Sequence, residues 1–278
     1  IGILIGLLAG GWLDESLGWR TAFVVVGLPG LLLSVLVALT LREPPRGMAD
    51  GLPSESRSYT AREVIAFLWR ARSFRHTALA SGLYAFTGYS FVNWAPSFLK
   101  RSHGMDSGEV GTWLALIIGI GGGVGVYAGG WASDRWASRD VRGRSLLPAM
   151  AMLASVPFWL GVYLNQHTGL VLALMVPPAA FGLMYQAPAL AVTQSLSTPA
   201  MRATASAVLL FVINIIGLAM GPAVTGWISD LLSPRFGAES LRYALLIVSM
   251  LLLAAGYHFW RASQTLADAL EYVRNYRP

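Results

Sequence analysis

The chain has 278 residues and a net charge of +6, with 55% apolar and only 12% charged residues. Soluble globular domains are about a quarter charged, so this composition excludes a soluble fold. The chain contains no cysteine, which excludes disulfides and thiolate metal sites. The apolar residues come in blocks of about 20, enough to cross about 30 Å of hydrocarbon as a helix. We therefore predict an all-α polytopic membrane protein.

Seven blocks are long enough to be complete membrane spans, and an eighth, at the N-terminus, is partial. In chain order the blocks are 1–13, 20–41, 74–99, 110–132, 145–164, 170–196, 199–231 and 241–260. The opening block has no basic leader, which is typical of a fragment cut inside a helix rather than of a signal peptide. Three prolines in the block 170–196 predict a bend there; they are Pro177, Pro178 and Pro188.

The segment 42–59, between the second and third of these blocks, is polar and rich in Pro, Gly and Ser, which predicts a linker. Thr60 and Glu63 have the spacing of a capping box, which predicts a short helix through Arg72. Apolar residues share one side of this helix among several arginines, as in helices that lie on a membrane surface. They are Val64, Ile65, Leu68 and Trp69.

Arg and Lys residues are distributed unequally between alternate loops. Fifteen lie in the segments 42–75, 135–144 and 202 and in the C-terminal tail, against five in the other loops. Cytoplasmic loops carry the excess of Arg and Lys, so the linker, the loop after Asp134 and the C-terminus are predicted to be cytoplasmic. The same distribution accounts for the net charge without a nucleic-acid partner. Nineteen of the twenty basic residues are Arg, which is typical of a GC-rich bacterial genome and favours the inner cell membrane as the location.

Two distant segments of the chain resemble each other. Residues 6–14 and 221–230 both run from Gly through Gly-Trp to Asp, about 215 residues apart. Each is followed by a short loop and by a helix that starts with Arg, Arg20 in one copy and Arg242 in the other. A repeat of this length is typical of two parallel six-helix halves related about the membrane normal. About four helices are then expected before residue 1.

The chain resembles the major facilitator superfamily. Residues 129–135, Gly-Gly-Trp-Ala-Ser-Asp-Arg, are similar to its cytoplasmic gate motif between helices eight and nine, so the resemblance implies a gate of Gly130, Asp134, Arg135, Arg142 and Arg144. Its glycine-rich packing motif is matched in degenerate form in helix five and more fully in helix eleven. The matching residues are Gly6, Gly10, Gly11, Gly217, Gly221, Pro222 and Gly226.

The resemblance implies the major facilitator fold: a C-terminal six-helix bundle with the last one and a part helices of the N-terminal bundle. The expected divisions are 1–41 for the end of the N-terminal bundle, 42–73 for the cytoplasmic linker, 74–262 for the C-terminal bundle and 263–278 for the tail. Residues 42–47, Arg-Glu-Pro-Pro-Arg-Gly, and 94–99, Trp-Ala-Pro-Ser-Phe-Leu, are similar to the spinster branch. That branch implies lysophospholipid or sphingoid-type substrates.

In the superfamily the aspartate of the gate motif faces the N-terminus of a helix in the opposite half. A carboxylate at a helix N-terminus contributes about 0.3–2 kcal/mol, so such a latch can hold the cytoplasmic side closed and still open. The alternative is that Asp134 and Arg135 form a solvated helix end. The glycines of 119–130 favour close helix packing, either static or as a sliding interface.

A polar stripe along the block 74–99 is the candidate substrate site, since a polar face inside a membrane must meet a cavity or another helix. Both alternatives stay open at this point. The candidate substrate-binding residues of this block are Tyr84, Thr87, Ser90, Asn93 and Trp94, and later blocks add Tyr185, Gln186, Gln194 and Asn214.

No Asp, Glu, Lys or Arg lies in the middle of a predicted span, and the four histidines lie near block ends or in loops. If the protein is proton-coupled, its buried carboxylate is expected upstream of residue 1. No nucleophile–base pair or metal-ligand spacing is present, so we predict no enzyme activity, no cofactor and no metal.

These observations predict a monomeric secondary active transporter that works by alternating access within membrane lipid. We expect proton coupling, through the carboxylate expected upstream of residue 1. We also expect an amphipathic or lipid-like small-molecule substrate, because the polar stripe is aromatic and amide-rich rather than charged. The alternatives are a sugar or drug transporter of the same superfamily, or a seven-helix receptor or scaffold that transports nothing. Residue patterns leave the substrate's identity, the direction and the stoichiometry open.

Overall fold

The computed structural model describes Leu13, residues 18–41 and residues 59–275. The chain divides into two compact units, Ile1–Arg57 and Ser58–Pro278. In the first unit, α1 (Trp19–Thr40) is a 22-residue apolar helix. The Ser34 hydroxyl donates to the Gly30 carbonyl (2.8 Å), which leaves no unpaired hydroxyl at that position of an apolar helix.

The described part of the second unit forms one short helix and six long helical rods, several of them interrupted once. The elements are α2 (Ala61–Arg70), α3 (Arg72–His103), α4 (Ser107–Leu116) with a π-helical turn (Ile117–Gly121) and α5 (Gly122–Ala137), α6 (Gly143–Leu164), α7 (Thr168–Leu183) with α8 (Gln186–Ser195), α9 (Arg202–Ile213) with a second π-helical turn (Asn214–Met220) and α10 (Gly221–Phe236), and α11 (Ser240–Ser249) with α12 (Leu251–Asn275). Single 3-10 turns occupy Pro199–Met201 and Gly237–Glu239.

Helix α3 lies at the centre of the bundle. It packs against α12, α10, α11 and the second π-helical turn, while α12 also packs on α6, and α6 on α7. The largest fully buried side chains include Phe98, Tyr163, Phe259, Met152 and Met175, so the interior is aromatic and aliphatic. Six rods around one such core are the arrangement predicted for the C-terminal bundle.

Five stretches of the described residues are long and apolar enough to cross a membrane. They are Arg20–Thr40, Gly108–Ala137, Gly143–Leu164, Thr168–Ser195 and Pro199–Asn275, the last of which contains two predicted spans. Helix α3 has the length, 32 residues, but it is less apolar than the others because hydroxyl and amide side chains recur along it. Its central position in the bundle fits that polarity.

Several predicted boundaries differ from the observed ones. The expected division between 262 and 263 falls inside α12, which continues as a helix to Asn275, and Leu266 beyond the division is 1% exposed. The block 241–260 is divided between α11 and α12 at Met250. The predicted bend in 170–196 occurs between α7 and α8, at Met184 and Tyr185. Pro188 explains that position, because it has no N–H to donate to the carbonyl four residues earlier.

The capping box at the start of α2 is confirmed. The Thr60 amide donates to Glu63 Oε2 (2.8 Å), and the Glu63 amide donates to Thr60 Oγ1 (3.3 Å). The predicted single apolar side is divided, however. Val64 and Leu68 are buried against the bundle, whereas Ile65 and Trp69 are 43% and 48% exposed.

Candidate functional site

Two glycines allow the end of α5 that carries the predicted gate to pack closely on the neighbouring helices. Gly125 and Gly129 lie directly against the backbone of α7 and of the α7–α8 junction, at Ala180 and Met184. A Cβ atom built on Gly129 would lie 2.5 Å from Met184 Cα, which is closer than real Cβ atoms approach. Small residues are what allow helices in a membrane to approach so closely. Gly130, the predicted gate glycine, has ordinary room around it.

Asp134 and Arg135 lie exposed in the last turn of α5. The Arg135 guanidinium lies 5.9 Å from the centre of the Trp131 ring, a cation–π contact within its own helix. Among the described residues no side-chain hydrogen bond or ion pair of Asp134 is found. A cavity of about 410 Å³ lies alongside, lined by Trp131, Ala132, Arg135, Trp136 and Arg139.

The loop between α5 and α6 is held by contacts within the bundle. The Arg142 amide donates to Asp140 Oδ1 (2.9 Å), while the Arg142 side chain is exposed. The Arg144 side chain donates to Ser195 Oγ (3.0 Å), which ties α6 to the end of α8. Of the predicted gate residues, Arg144 therefore has a partner in its own bundle, and Asp134, Arg135 and Arg142 present exposed charges.

The packing motif expected in the superfamily's helix eleven lies in the second π-helical turn and α10 of this structure. It packs against α3. Gly217 and Gly221 approach the α3 backbone, with their built Cβ atoms 2.5 Å from Ala85 Cβ and from the Phe86 carbonyl oxygen. The Trp94 indole N–H donates to the Pro222 carbonyl (2.9 Å), and the Trp94 ring covers Gly226. The corresponding residues of the superfamily's helix five, which is not the α5 of this structure, lie outside the described residues; they are Gly6, Gly10 and Gly11.

Three of the predicted substrate-binding residues take part in helix–helix contacts. Thr87 lies 3.3 Å from the Val248 carbonyl of α11, to which its hydroxyl donates. Ser90 accepts a hydrogen bond from the Thr225 hydroxyl of α10 (2.8 Å), and both side chains are fully buried. Trp94 is likewise bonded to α10. Thr87, Ser90 and Trp94 therefore meet another helix, which is the second of the two alternatives stated for a polar face inside a membrane.

The other predicted residues are distributed between an aromatic pair and exposed amides. The Tyr84 and Tyr185 rings lie 4.7 Å apart, and the Tyr84 hydroxyl packs on Gly182, where no Cβ would fit. Four amide side chains are exposed; they are Asn93, Gln186, Gln194 and Asn214. Gln194 donates to Ser206 Oγ (3.2 Å), and Asn93 and Asn214 each donate to a carbonyl of their own helix. These amides lie on open faces and are free to exchange such bonds for a ligand's.

One polar cluster is not apparent from the sequence, in which Arg242 is a loop charge and the start of the helix that follows the repeat. Arg242 is 7% exposed; its Nε lies 2.6 Å from Glu239 Oε2, and its Nη1 donates to the Asn165 carbonyl (3.3 Å). Its guanidinium also lies 5.8 Å from the centre of the Phe98 ring. This "Arg242 clasp" joins the start of α11 to the end of α3 and the α6–α7 loop.

His103, at the end of α3, lies against the same clasp. Its ring packs edge-on against Phe98 (5.2 Å between centres), and its Nδ1 lies 3.5 Å from Thr168 Oγ1. Burial, and next the nearby Arg242 cation, lower the pKa of His103, although Glu239 acts in the opposite direction. The imidazole therefore favours its neutral form.

A histidine pair was also missed. His76 of α3 and His258 of α12 stack with ring centres 5.1 Å apart, and their Nδ1 atoms lie 2.9 Å from each other. At that distance one Nδ1 donates and the other accepts. The two residues are 182 positions apart, so no local pattern could have joined them. Among the described residues no group of three or more His, Asp or Glu side chains is placed to hold a metal ion.

A family model described as Major Facilitator Superfamily matches residues 1–222. The chain belongs to the major facilitator superfamily. It is therefore a multi-pass membrane protein, as the sequence predicted.

Several curated members of the superfamily resemble the chain over nearly its whole length. An MFS-type efflux pump of Mycolicibacterium smegmatis is 34% identical, over 96% of this chain and 62% of the pump. Protein spinster homolog 3 of Danio rerio is 28% identical, over 95% of this chain and 57% of its own length. The sphingosine-1-phosphate transporter SPNS2 of Mus musculus is 27% identical, over 98% and 52%. The chain thus spans a little over half the length of these relatives, two of which are named as an efflux pump and a transporter.

A solved structure of the superfamily has the same fold. It is a bacterial homologue of the human lysosomal transporter spinster, in an inward-facing and unoccupied conformation. The TM-score is 0.69 at 24% sequence identity, over 96% of this chain and 65% of that one. The predicted major facilitator fold and the predicted likeness to the spinster branch are both confirmed.

Proposed function

We propose that the protein is a secondary active transporter that works by alternating access. Membership of the superfamily is the observation that carries this proposal. The glycine contacts of α5 with α7, and of α10 with α3, support it, because helices packed this closely can move together as one half of such a transporter.

The substrate we propose is an amphipathic or lipid-like small molecule, moved in exchange for or together with protons. The named function of the SPNS2 relative supports a lipid-like substrate, and so does the exposure of four candidate amides in place of cations: Asn93, Gln186, Gln194 and Asn214. The second candidate is drug transport, and the relative that is named as an efflux pump, without a substrate, supports it by the direction of transport alone.

We further propose that Asp134 acts as a latch on the cytoplasmic side. Its carboxylate is exposed at the end of α5 and, within the described part of the chain, bonds to no side chain of its own bundle. It is therefore available to a partner outside that bundle, and the partner that we propose is the N-terminus of a helix in the opposite half.

Transport into proteoliposomes tests these proposals. We expect uptake of a labelled lysophospholipid to exceed that of a labelled hexose and of a lipophilic dye cation, and to rise when a pH gradient is imposed.

Asp134→Asn should lower the rate about tenfold, because it removes the charge of the latch. Asp230→Asn is the matched control: Asp230 is also exposed near the end of a glycine-rich helix, and we expect it to transport at the unaltered rate. Equal rates for all three substrates would refute the proposed substrate class, and an unaltered Asp134→Asn rate would refute the latch.

A further inference from the structure

Helix α2 is fixed to the bundle by one face. Val64 and Leu68 are fully buried, Phe67 is 8% exposed, and the Phe67 ring lies 6.2 Å from the Tyr272 ring of α12. The capping box holds the first turn. Because the helix cannot roll without uncovering these side chains, its opposite face has a fixed outward direction.

That outward face combines apolar and cationic side chains. Arg62, Ile65, Trp69 and Arg70 are exposed and lie within two turns on the same side of the helix; we call them the α2 outer face. Ile65 is 43% and Trp69 48% exposed. An outward Trp with an aliphatic neighbour between arginines is typical of helices that lie at a membrane–water interface.

The charge around this face is predominantly positive. Beyond its end, Arg72 and Arg75 are exposed at the start of α3. Glu63 is the one acidic residue of α2, and its carboxylate is bonded to the Thr60 amide and hydroxyl in the capping box. A cavity of about 390 Å³ opens beside Arg70 and Arg72 and includes a single carboxylate; it is lined by Arg70, Ala71, Arg72, Thr265, Asp268, Ala269 and Tyr272.

The connection to α3 fixes the level of this face relative to the membrane. Ala71 alone separates α2 from α3, which is 32 residues long and central in the bundle. Two consecutive Cα–Cα steps cover at most about 7.6 Å. The Trp69–Arg70 end of the α2 outer face therefore lies close to the first residues of α3, within reach of lipid headgroups where α3 enters the hydrocarbon.

We propose that the α2 outer face docks on anionic phospholipid headgroups of the membrane in which α3 is embedded. Trp69 and Ile65 insert among the headgroups, while Arg62, Arg70 and Arg72 bind their phosphates. Arginine suits this role because its planar guanidinium can donate two parallel hydrogen bonds to one phosphate. The proposal requires that α3 crosses a membrane and is independent of transport.

The absence of cysteine from the chain makes a direct test simple. Ile65→Cys introduces a single thiol on the α2 outer face of the full chain. The variant is reconstituted in nanodiscs of phosphatidylcholine alone, or of phosphatidylcholine mixed with phosphatidylglycerol, and its reaction with a water-soluble maleimide is timed. We expect reaction about tenfold slower in the anionic discs, because basic residues are drawn to an anionic surface. At about 1 M salt this difference should largely disappear.

Three controls make the result specific. Adding Arg62→Gln, Arg70→Gln and Arg72→Gln to the cysteine variant should remove the effect of lipid charge. Gln166→Cys, exposed in the α6–α7 loop, should react at the same rate in both kinds of disc. Inorganic phosphate added to phosphatidylcholine discs should give no protection, which separates a lipid headgroup from a free anion.

Two results would overturn the proposal. Equally fast reaction in both discs would mean that the α2 outer face is in water. Equally slow reaction in both, unchanged by the arginine substitutions, would mean that another part of the protein covers it.

Discussion

Two glycines of α5 set the distance between that helix and α7. Gly125 and Gly129 leave no room for a Cβ atom against the opposing backbone, whereas Gly123 in the same helix has no atom within 4 Å of its built Cβ. Since backbone cannot rotate away as a flexible side chain can, any side chain at the first two positions must push the helices apart. Close packing at the gate end of α5 therefore depends on single residues.

Gly129→Ala should consequently destabilise the bundle, by about 1–3 kcal/mol if it behaves as other overpacked positions do. Thermal unfolding of the purified protein in detergent should show a midpoint lower by about 5 °C. Gly123→Ala makes the same chemical change in open space, and its midpoint should equal or exceed that of the unaltered protein, because Ala favours a helix over Gly by about 0.5–1 kcal/mol. Equal midpoints for the two variants would mean that the contact at Gly129 can relax.

His103 leads to a prediction about pH. Burial beside Arg242 lowers its pKa below the ordinary 6.5, so the unfolded chain takes up this proton at a higher pH than the folded protein does. The resulting stability is complete above about pH 6.5 and is lost as the pH falls through that value toward the folded pKa. His103→Gln should therefore lose less thermal stability than the unaltered protein between about pH 7.5 and 5.

The control for His103 is Gln166→Asn, a change between two neutral side chains at an exposed position of the α6–α7 loop. This variant should lose as much stability on acidification as the unaltered protein. If His103→Gln behaves in the same way as Gln166→Asn, His103 has no part in acid sensitivity.

The sequence predicted single residues well where a local rule was sufficient and poorly where distant contacts decide. Thr60 and Glu63 are three positions apart, so their capping box could be recognised. Arg242 could not be recognised as buried, because Glu239 is a near neighbour in the sequence but Asn165 and Phe98 come from distant elements. Thr87 and Ser90 could be placed on a polar stripe from their spacing alone. Their partners in α10 and α11 are distant in the sequence, so the sequence did not show which side of α3 those helices contact.

Among the elements, α2 is the one whose boundaries depend most directly on side-chain chemistry. Thr60→Ala removes the acceptor of the Glu63 amide and should weaken the helix by about 1 kcal/mol. Hydrogen exchange should then be about fivefold faster at the first amides of α2, in proportion to the more frequent opening of that turn. Thr60→Ser keeps the hydroxyl and should restore slow exchange. No change in Thr60→Ala would show that packing of Phe67 and Leu68 alone holds the first turn.

Interruptions of the long rods were predictable only where proline causes them. Pro188 accounts for the break between α7 and α8, and the residue can be read from the sequence. The two π-helical turns, Ile117–Gly121 and Asn214–Met220, contain no proline. Pro222 follows the second of them and has no N–H to donate to the Leu218 carbonyl inside that turn, whereas no proline follows the first within four residues.

For the whole molecule, the distribution of Arg and Lys predicts which loops face the cytoplasm. Ser138→Cys places a thiol in the α5–α6 loop, and Gln166→Cys places one in the α6–α7 loop. In intact cells or right-side-out vesicles, a membrane-impermeant maleimide should label the Gln166→Cys variant and leave the Ser138→Cys variant unlabelled until the membrane is permeabilised. The reverse pattern would invert the predicted orientation. Labelling of both variants without permeabilisation would mean that α6 does not separate the two sides.

The continuity of α12 has a practical consequence. At about 1.5 Å per residue, its 25 residues extend about 37 Å, and side chains as far along as Leu266 are anchored in the bundle. The helix is therefore firmly attached to the six-rod bundle along most of its length. A spin label or fluorophore at the exposed Glu271 would follow this bundle, so that distances measured from it would report any rotation of the bundle in the proposed transport cycle.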